Sequence, residues 1–352
     1  MSPQDDRPVW LGLDIGGANI KAAHSSGRAQ LLPFEVWKRP SDLPDALSRI
    51  GGLLPRADRL AVTMTAELCD CFDTKSEGVS AVLGAVWKAF PGRPIHVWGT
   101  DGRFHDLENA VRHPELPAAA NWLALATLAA RLLPEGPGIL IDIGSTTADL
   151  IPLLDGRPAA RGRTDTDRLQ TGELVYAGVR RTPIMALSPV LPHRGLPTGL
   201  AAELFASTLD VYLTLGDLPP DPTDDCTADG RPATVEAARD RLARMVGADR
   251  DSFSPEDARA FALAADDSLM IRLGTAARRA CLPNVGQPLG AVVCGSGSFL
   301  ARRLASRLIP EGAPIRSLDE SWGPLASHAG CAYALVVLAG ELEGLPAADP
   351  HL

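Results

Sequence analysis

The sequence predicts an α/β protein of two domains related by duplication, with a cleft between them. Three observations predict it. The chain has 352 residues, long for a single core. Short apolar segments of strand length alternate with longer segments of helical period along it. One pattern also occurs twice, as WLGLDIGGANIKA at residues 10–22 and ILIDIGSTTADLIPL at residues 139–153. Each copy is an apolar strand that ends on Asp-Ile-Gly, a turn of small residues, and a second apolar strand. A charged residue stands at the same offset in the second strand, Lys21 in one copy and Asp149 in the other.

The elements follow in order. The first hairpin spans Trp10 to His24. LAVTMT (60–65) reads as a strand, and SEGVSAVLGAVWKAF (76–90) as a helix whose opening Ser and Glu suit a cap. IHVWG (95–99) is a further strand and AAANWLALATLAARLL (118–133) a long helix. PEGPG (134–138) is a breaker cluster, and the domain boundary is placed there because the second hairpin begins directly after it. A strand-rich stretch runs to about Tyr176, followed by helical segments near 199–215, 233–247 and 255–282. The Pro- and Asp-rich DLPPDPTDDCTADGRP (217–232) is long for a connector and is expected to be functional or mobile, with Asp229-Gly230-Arg231 as a lid. LGAVVCGSGSFLARRLASRL (289–308) is a buried strand, a Gly-Ser turn and a helix. SHAGCAYALVVLAGEL (327–342) is an Ala-rich buried helix.

Composition narrows the class. A hydrophobic fraction of 45% and 22% charged residues describe an ordinary globular chain. The net charge of −9 without a long basic run speaks against nucleic acid or an anionic membrane surface as partner. No run of about 18 apolar residues is present, so no membrane span is expected. The N-terminal MSPQDDRPVW has no basic segment followed by an apolar one, so a cytoplasmic protein is expected. The six cysteines form no C-x-x-C pair, and the seven histidines are scattered; reduced thiols rather than a zinc site are expected.

The turns carry the chemistry. A tight turn of Gly, Ser and Thr exposes successive backbone N–H groups that make an anion-binding concavity. Gly16, Gly17 and Asn19 in the first turn, and Gly144, Ser145, Thr146 and Thr147 in the second, are the candidate phosphate cradle. Lys21 supplies positive charge. A carboxylate beside a phosphate is repelled unless a cation lies between them. Asp14 and Asp142 are therefore candidate ligands of Mg²⁺, which takes one or two carboxylates together with phosphate oxygens. Gly295, Ser296 and Gly297, between a strand and a helix, suit a third phosphate contact at a helix N-terminus. They do not form G-x-G-x-x-G, since position 300 is Leu, which speaks against a dinucleotide site.

Two phosphate hairpins followed by a late strand–GSG–helix resemble the actin-like ATPase (ribonuclease H-like) fold of sugar kinases and Hsp70. That resemblance implies domain I at residues 1–135, domain II at 139–325, and a C-terminal helix at 325–345 that packs back on domain I. Three further segments are similar to one subgroup: TMTAELCDCFDTKSEGV (63–79), DTDRLQTGELVYAGVRRTPIMAL (165–187) and AELFASTLDVYLTLGDLPPDPTDDCTADGRPAT (202–234). They resemble the hydantoinase/oxoprolinase-related proteins of tetrahydromethanopterin-linked one-carbon metabolism, whose archaeal members are methanofuran-biosynthesis synthases. The resemblance implies a transferase. It would alkylate the phenol oxygen of γ-glutamyltyramine with an (aminomethyl)furan-methyl diphosphate, forming an ether and releasing diphosphate.

On that reading Glu67, Asp70 and Asp149 are candidate bases for the phenol, and Lys75, Arg168 and Arg180 hold substrate charges. Tyr176 is either a core aromatic or a stacking partner for an aromatic ring. Where the hydantoinase type has GGT-x-TD at the first turn, this chain has GGANIK, so ATP-dependent amide hydrolysis is not carried over. GGANIK is also similar to repressor-related sugar kinases, whose zinc motif is absent here. ATP suits the turns as well as diphosphate does. The alternatives are thus an ATP-dependent kinase or hydrolase, and a non-catalytic nucleotide sensor. Small-molecule substrates are expected, and a homodimer is compatible with the sequence.

Overall fold

The computed structural model describes residues 8–342, so residues 1–7 of the expected first domain and 343–345 of the expected last helix lie outside it. Two large sheets repeat one strand order. In the first, β1 (Trp10–Ile15), β2 (Asn19–His24) and β3 (Ala29–Pro33) form an antiparallel meander. β4 (Arg59–Met64) and β5 (Ile95–Trp98) run parallel to β1, and β6 (Phe104–Asp106) closes the edge, in the order β3-β2-β1-β4-β5-β6. The later strands are β7 (Pro137–Ile143), β8 (Ala148–Leu154), β9 (Arg157–Pro158), β10 (Leu174–Val175), the small hairpin β11 (Val190–His193) and β12 (Leu196–Gly199), β13 (Ala291–Cys294) and β14 (Ile315–Ser317). The second sheet runs β10-β8-β7-β13-β14, with β9 on β8. Again a hairpin leads and two parallel strands follow. Thus β1 and β7 correspond, as do β4 and β13. This duplicated sheet is the actin-like ATPase fold.

The helices are α1 (Leu43–Gly52), α2 (Lys75–Ala89), α3 (Leu107–Arg112), α4 (Asn121–Ala129), α5 (Asp165–Thr171), α6 (Thr208–Leu215), α7 (Val235–Arg244), α8 (Pro255–Cys281), α9 (Ser298–Leu308), α10 (Leu318–Trp322), α11 (Pro324–His328) and α12 (Gly330–Glu341). Among the described residues no helix is long and apolar enough to cross a membrane.

Strand alternation explains how the layers form. Leu11, Leu13 and Ile15 of β1 pack with α1 and α2. Ile139, Ile141 and Ile143 of β7 pack with α8 and α9. The opposite faces of both sheets meet a shared layer made by α4 and α12, where Trp10, Ala23, Ala61, Leu140, Ile151 and Val292 join one core. The contact of α12 with β1 is so close that a Cβ on Gly12 would sit 2.1 Å from the Ala332 carbonyl oxygen. Only glycine fits there.

Several elements differ from expectation, each for a local reason. The helix expected at 118–133 starts at Asn121, because Ala119 sits at φ 49, and it ends in a 3-10 turn at Ala130–Leu132. The helix expected at 199–215 starts at Thr208, where Ser207 and Asp210 form a reciprocal capping box. The breaker cluster at 134–138 yields its last two residues to β7. The strand-rich stretch contains α5, begun by a second capping box of Thr164 and Asp167. The loop at 217–232 is pinned rather than free. Asp229 accepts from Arg231 at 2.8 Å, Arg241 at 3.0 Å and Arg244 at 3.2 Å, and Arg241 is fully buried.

Candidate active site

The alternation that builds the layers also aims the charged residues. Asp14 shares the parity of Trp10 and Gly12, and Asp142 that of Leu140. Both carboxylates therefore stand at strand ends on the two faces that look toward each other. Lys21 lies opposite Asp14 in register, and Asp149 lies opposite Asp142. In the parallel ladders Thr63 is beside Asp14 and Cys294 beside Asp142. The Lys21 ammonium is 3.9 Å from Asp14.

The two turns close identically. The Gly16 N–H donates to the Asn19 carbonyl at 3.0 Å, and the Gly144 N–H to the Thr147 carbonyl at 2.8 Å. The N–H groups of Gly17, Ala18, Ser145 and Thr146 donate to no acceptor among the described residues. They are the open amides that an anion needs. Each turn is seated from behind. A Cβ on Gly17 would lie 3.0 Å from the Cys69 sulfur, and one on Gly178 would strike the second turn at 2.5 Å. The Ser145 carbonyl accepts from the Arg180 and Arg181 amides. The third turn leans on the second: the Gly297 N–H donates to the Ile143 carbonyl at 2.8 Å. Gly295, at φ 88, leaves room for the Asp142 carboxylate, which a Cβ would meet at 2.3 Å. Ser296 is exposed.

Electrostatics at the turns favour an added cation. Burial raises the Asp14 carboxyl above its usual range against the pull of Lys21, Asn121 and Cys331, and its Oδ1 has no partner. Burial and Asp149 push Asp142 up to about 6, although Lys21 draws it down. Burial works against the Lys21 ammonium, yet Asp14, Cys331 and Asp142 hold its pKa above the ordinary lysine value. Among the described residues no three His, Cys, Asp or Glu side chains gather as a ready metal cage. Asp14 and Asp142 are the two carboxylates at the turns that could hold a cation.

A second cluster adjoins the first through Asp149. Arg168, buried, pairs with Asp149 and with Asp165 at 3.3 Å, and its guanidinium lies over the Trp122 ring at 4.3 Å. Glu67 comes to this cluster from the other sheet, on the turn after β4. That turn occupies the place in the first sheet that Gly295–Gly297 occupies in the second. Glu67 is 1% exposed, its Oε2 is unpartnered, and a Cβ on Gly78 would meet its carbonyl at 2.2 Å. Burial, with Asp165 adding and Lys75 opposing, pushes its carboxyl up to about 7. Burial, Asp165, Glu67 and Asp149 together raise the Tyr176 phenol.

A family model for hydantoinase/oxoprolinase proteins matches residues 58–338. The chain belongs to the hydantoinase/oxoprolinase family. Two curated relatives share the name (4-{4-[2-(gamma-L-glutamylamino)ethyl]phenoxymethyl}furan-2-yl)methanamine synthase. That of Methanocaldococcus jannaschii is 37% identical over 250 residues, covering 70% of this chain and 74% of its own. That of Methanococcus vannielii is 36% identical over 119 residues, covering 34% and 53%. The nucleotide-free structure of acetone carboxylase aligns over 94% of this chain and 70% of its own, with a TM-score of 0.51 and 10% identity, a likeness of fold.

In this hydantoinase/oxoprolinase protein the first hairpin, with Asp14 and Lys21, precedes the matched region. Asp70 is exposed beside Cys69 and Cys71, outside the Glu67 cluster. Lys75 is half-buried at the start of α2, near Glu67 and Asp165. Arg180 pairs with Asp224 of the pinned loop. Tyr176 is 50% exposed, which excludes the core reading. The sequence does not single out Asp165, Asn121, Trp122, Cys294 or Cys331. Asp165 opens a capped helix, and such acids are ordinary helix starts. The other four are near-neutral residues that reach the aspartates or Arg168 only through tertiary packing.

Proposed function

We propose that this chain is a transferase of methanofuran-type cofactor synthesis. It would join an (aminomethyl)furan-methyl diphosphate to the phenol oxygen of γ-glutamyltyramine, forming an ether and releasing diphosphate. The reading is carried by the 37% identity, across 70% of the chain, to a synthase whose name specifies a phenoxymethylfuran. The site supports it with two adjoining chemistries, one for a leaving anion and one for a phenolic proton.

The open amides of Gly17, Ala18, Ser145 and Thr146, with Lys21, would hold the diphosphate and stabilise the charge that grows on it. A magnesium ion held by Asp14, Asp142 and phosphate oxygens would neutralise that leaving charge further. The phenol oxygen attacks the furan-methyl carbon, the carbon–oxygen bond to diphosphate breaks, and its electron pair leaves with diphosphate. The phenol, of ordinary pKa near 10, gives up its proton to Glu67. Burial places Glu67 near 7, where a carboxylate is a stronger base than an exposed one. Arg168 holds Asp149 and Asp165 in place at the junction of the two clusters.

The test is incubation of the purified protein with both substrates and Mg²⁺, without ATP. Ether is followed by mass spectrometry and diphosphate by enzymatic release assay. Ether and diphosphate in equal amounts are expected. No ether, together with substrate-dependent ADP formation when ATP is added, would overturn the reading in favour of a kinase or hydrolase.

A further inference from the structure

A pocket of about 360 Å³ lies at the free edge of the second sheet, between α5, β10 and α8, and the proposed chemistry leaves it unused. Leu169, Leu174, Val175 and Ala276 give it apolar wall, and its polar side chains are Tyr176, Arg272, Thr275 and Arg279. No carboxylate lines it. In a chain of net charge −9, arginines elsewhere commonly meet aspartate or glutamate. Among the described residues Arg272 and Arg279 form no ion pair. Arg272 gives one Nη1 bond to the Ala186 carbonyl at 3.2 Å, and Arg279 one Nη2 bond to the Leu169 carbonyl at 3.0 Å. A guanidinium has five donors, so most of the fork of each remains open. Gly172, at φ 85, leaves the Arg279 side chain room, since a Cβ there would come 3.0 Å from its Nε.

Tyr176 joins this pocket to the acid cluster. It lines the pocket, and burial, with Asp165, Glu67 and Asp149 near enough to add to it, raises its phenol. A ligand spanning the two places would have a phenol at Glu67, a flexible linker over Tyr176 and Val175, and an anion at the two guanidinium forks. Paired planar forks match a carboxylate better than a point charge would.

We propose that this pocket is the subsite for the carboxylate end of the acceptor, so that the preferred acceptor is a tyramine extended by an amino-acid carboxylate rather than free tyramine. The assignment rests on the transferase reading for the identity of the phenol, and on the pocket alone for the carboxylate. The full chain is titrated by calorimetry with γ-glutamyltyramine and with tyramine, neither of which requires turnover. The wild type should bind the glutamyl compound about tenfold or more tightly, the effect of one charge-assisted contact. The double variant R272Q/R279Q, whose changes lie at the protein surface and whose fold circular dichroism monitors, should lose that preference. Equal affinities in the wild type, no binding of either compound, or a preference undiminished in the double variant would overturn the subsite. A wild type that prefers the glutamyl compound but makes no ether would overturn the transferase reading and leave the subsite standing. Ether formed without any preference would do the reverse.

Discussion

Glu67→Gln separates a buried, proton-holding carboxylate from an ordinary one. The side chain is fully buried with one oxygen unpartnered, and burial lifts its pKa from 4.5 to about 7. At about 1.4 kcal/mol for each tenfold change in proton affinity, that rise is worth on the order of 3 kcal/mol. The sign follows from linkage. The folded pKa lies above the unfolded one, so the contribution is complete below about 4.5 and is lost as pH rises to about 7. Glutamine keeps the shape and cannot titrate. Urea unfolding of both proteins from pH 4 to pH 8 should show the wild type losing about 3 kcal/mol relative to the variant. Titrations common to both cancel in the difference. The same residue acting as base makes wild-type turnover rise with pH through about 7, a limb that the variant should lack. Stability curves that stay parallel across the range would refute the buried-carboxylate argument and the assignment of the base with it.

Three further outcomes follow from the geometry. Asp14→Asn and Asp142→Asn should each cut turnover about a hundredfold or more while leaving melting temperature unchanged or higher, because burial already disfavours both charges. Near-wild-type rates in both folded variants would sink their role in holding the cation. Gly295→Ala should destabilise by about 3 kcal/mol in denaturant titration, since a Cβ at φ 88 would meet the Asp142 carboxylate at 2.3 Å. Arg168→Met should cost about 3 kcal/mol in the same assay at pH 7, by leaving Asp149 and Asp165 without their cation over Trp122; an unchanged midpoint would show that the pairs are replaceable by water.

Local patterns are legible in the amino-acid order itself. An Asp-Ile-Gly turn between apolar strands specifies a hairpin on its own, because alternation and turn chemistry act over a few residues. The hairpin at Trp10–His24 and the strand, Gly-Ser turn and helix at 289–308 stand where those patterns put them. Parity within the strands even selects which face Asp14, Lys21, Asp142 and Asp149 occupy. Helix starts are harder to read. Capping boxes at Thr164 and Ser207, and the left-handed backbone at Ala119, outweigh helical period over a few residues.

What only tertiary structure decided is which residues meet. Glu67, on the turn after β4 of the first sheet, and Asp165, at the start of α5 beside the second, come together because α4 and α12 hold the two inner faces on one core. Burial, and hence the proton affinity of Glu67, follows from that packing. The Asp- and Pro-rich loop has the composition of a mobile segment, yet its aspartates find Arg241, Arg244 and Arg180 in space, and ion pairing overrides composition. The open guanidinium groups of Arg272 and Arg279 are likewise invisible in sequence. A helix written as a string does not say which of its arginines finds a carboxylate and which is left facing a pocket.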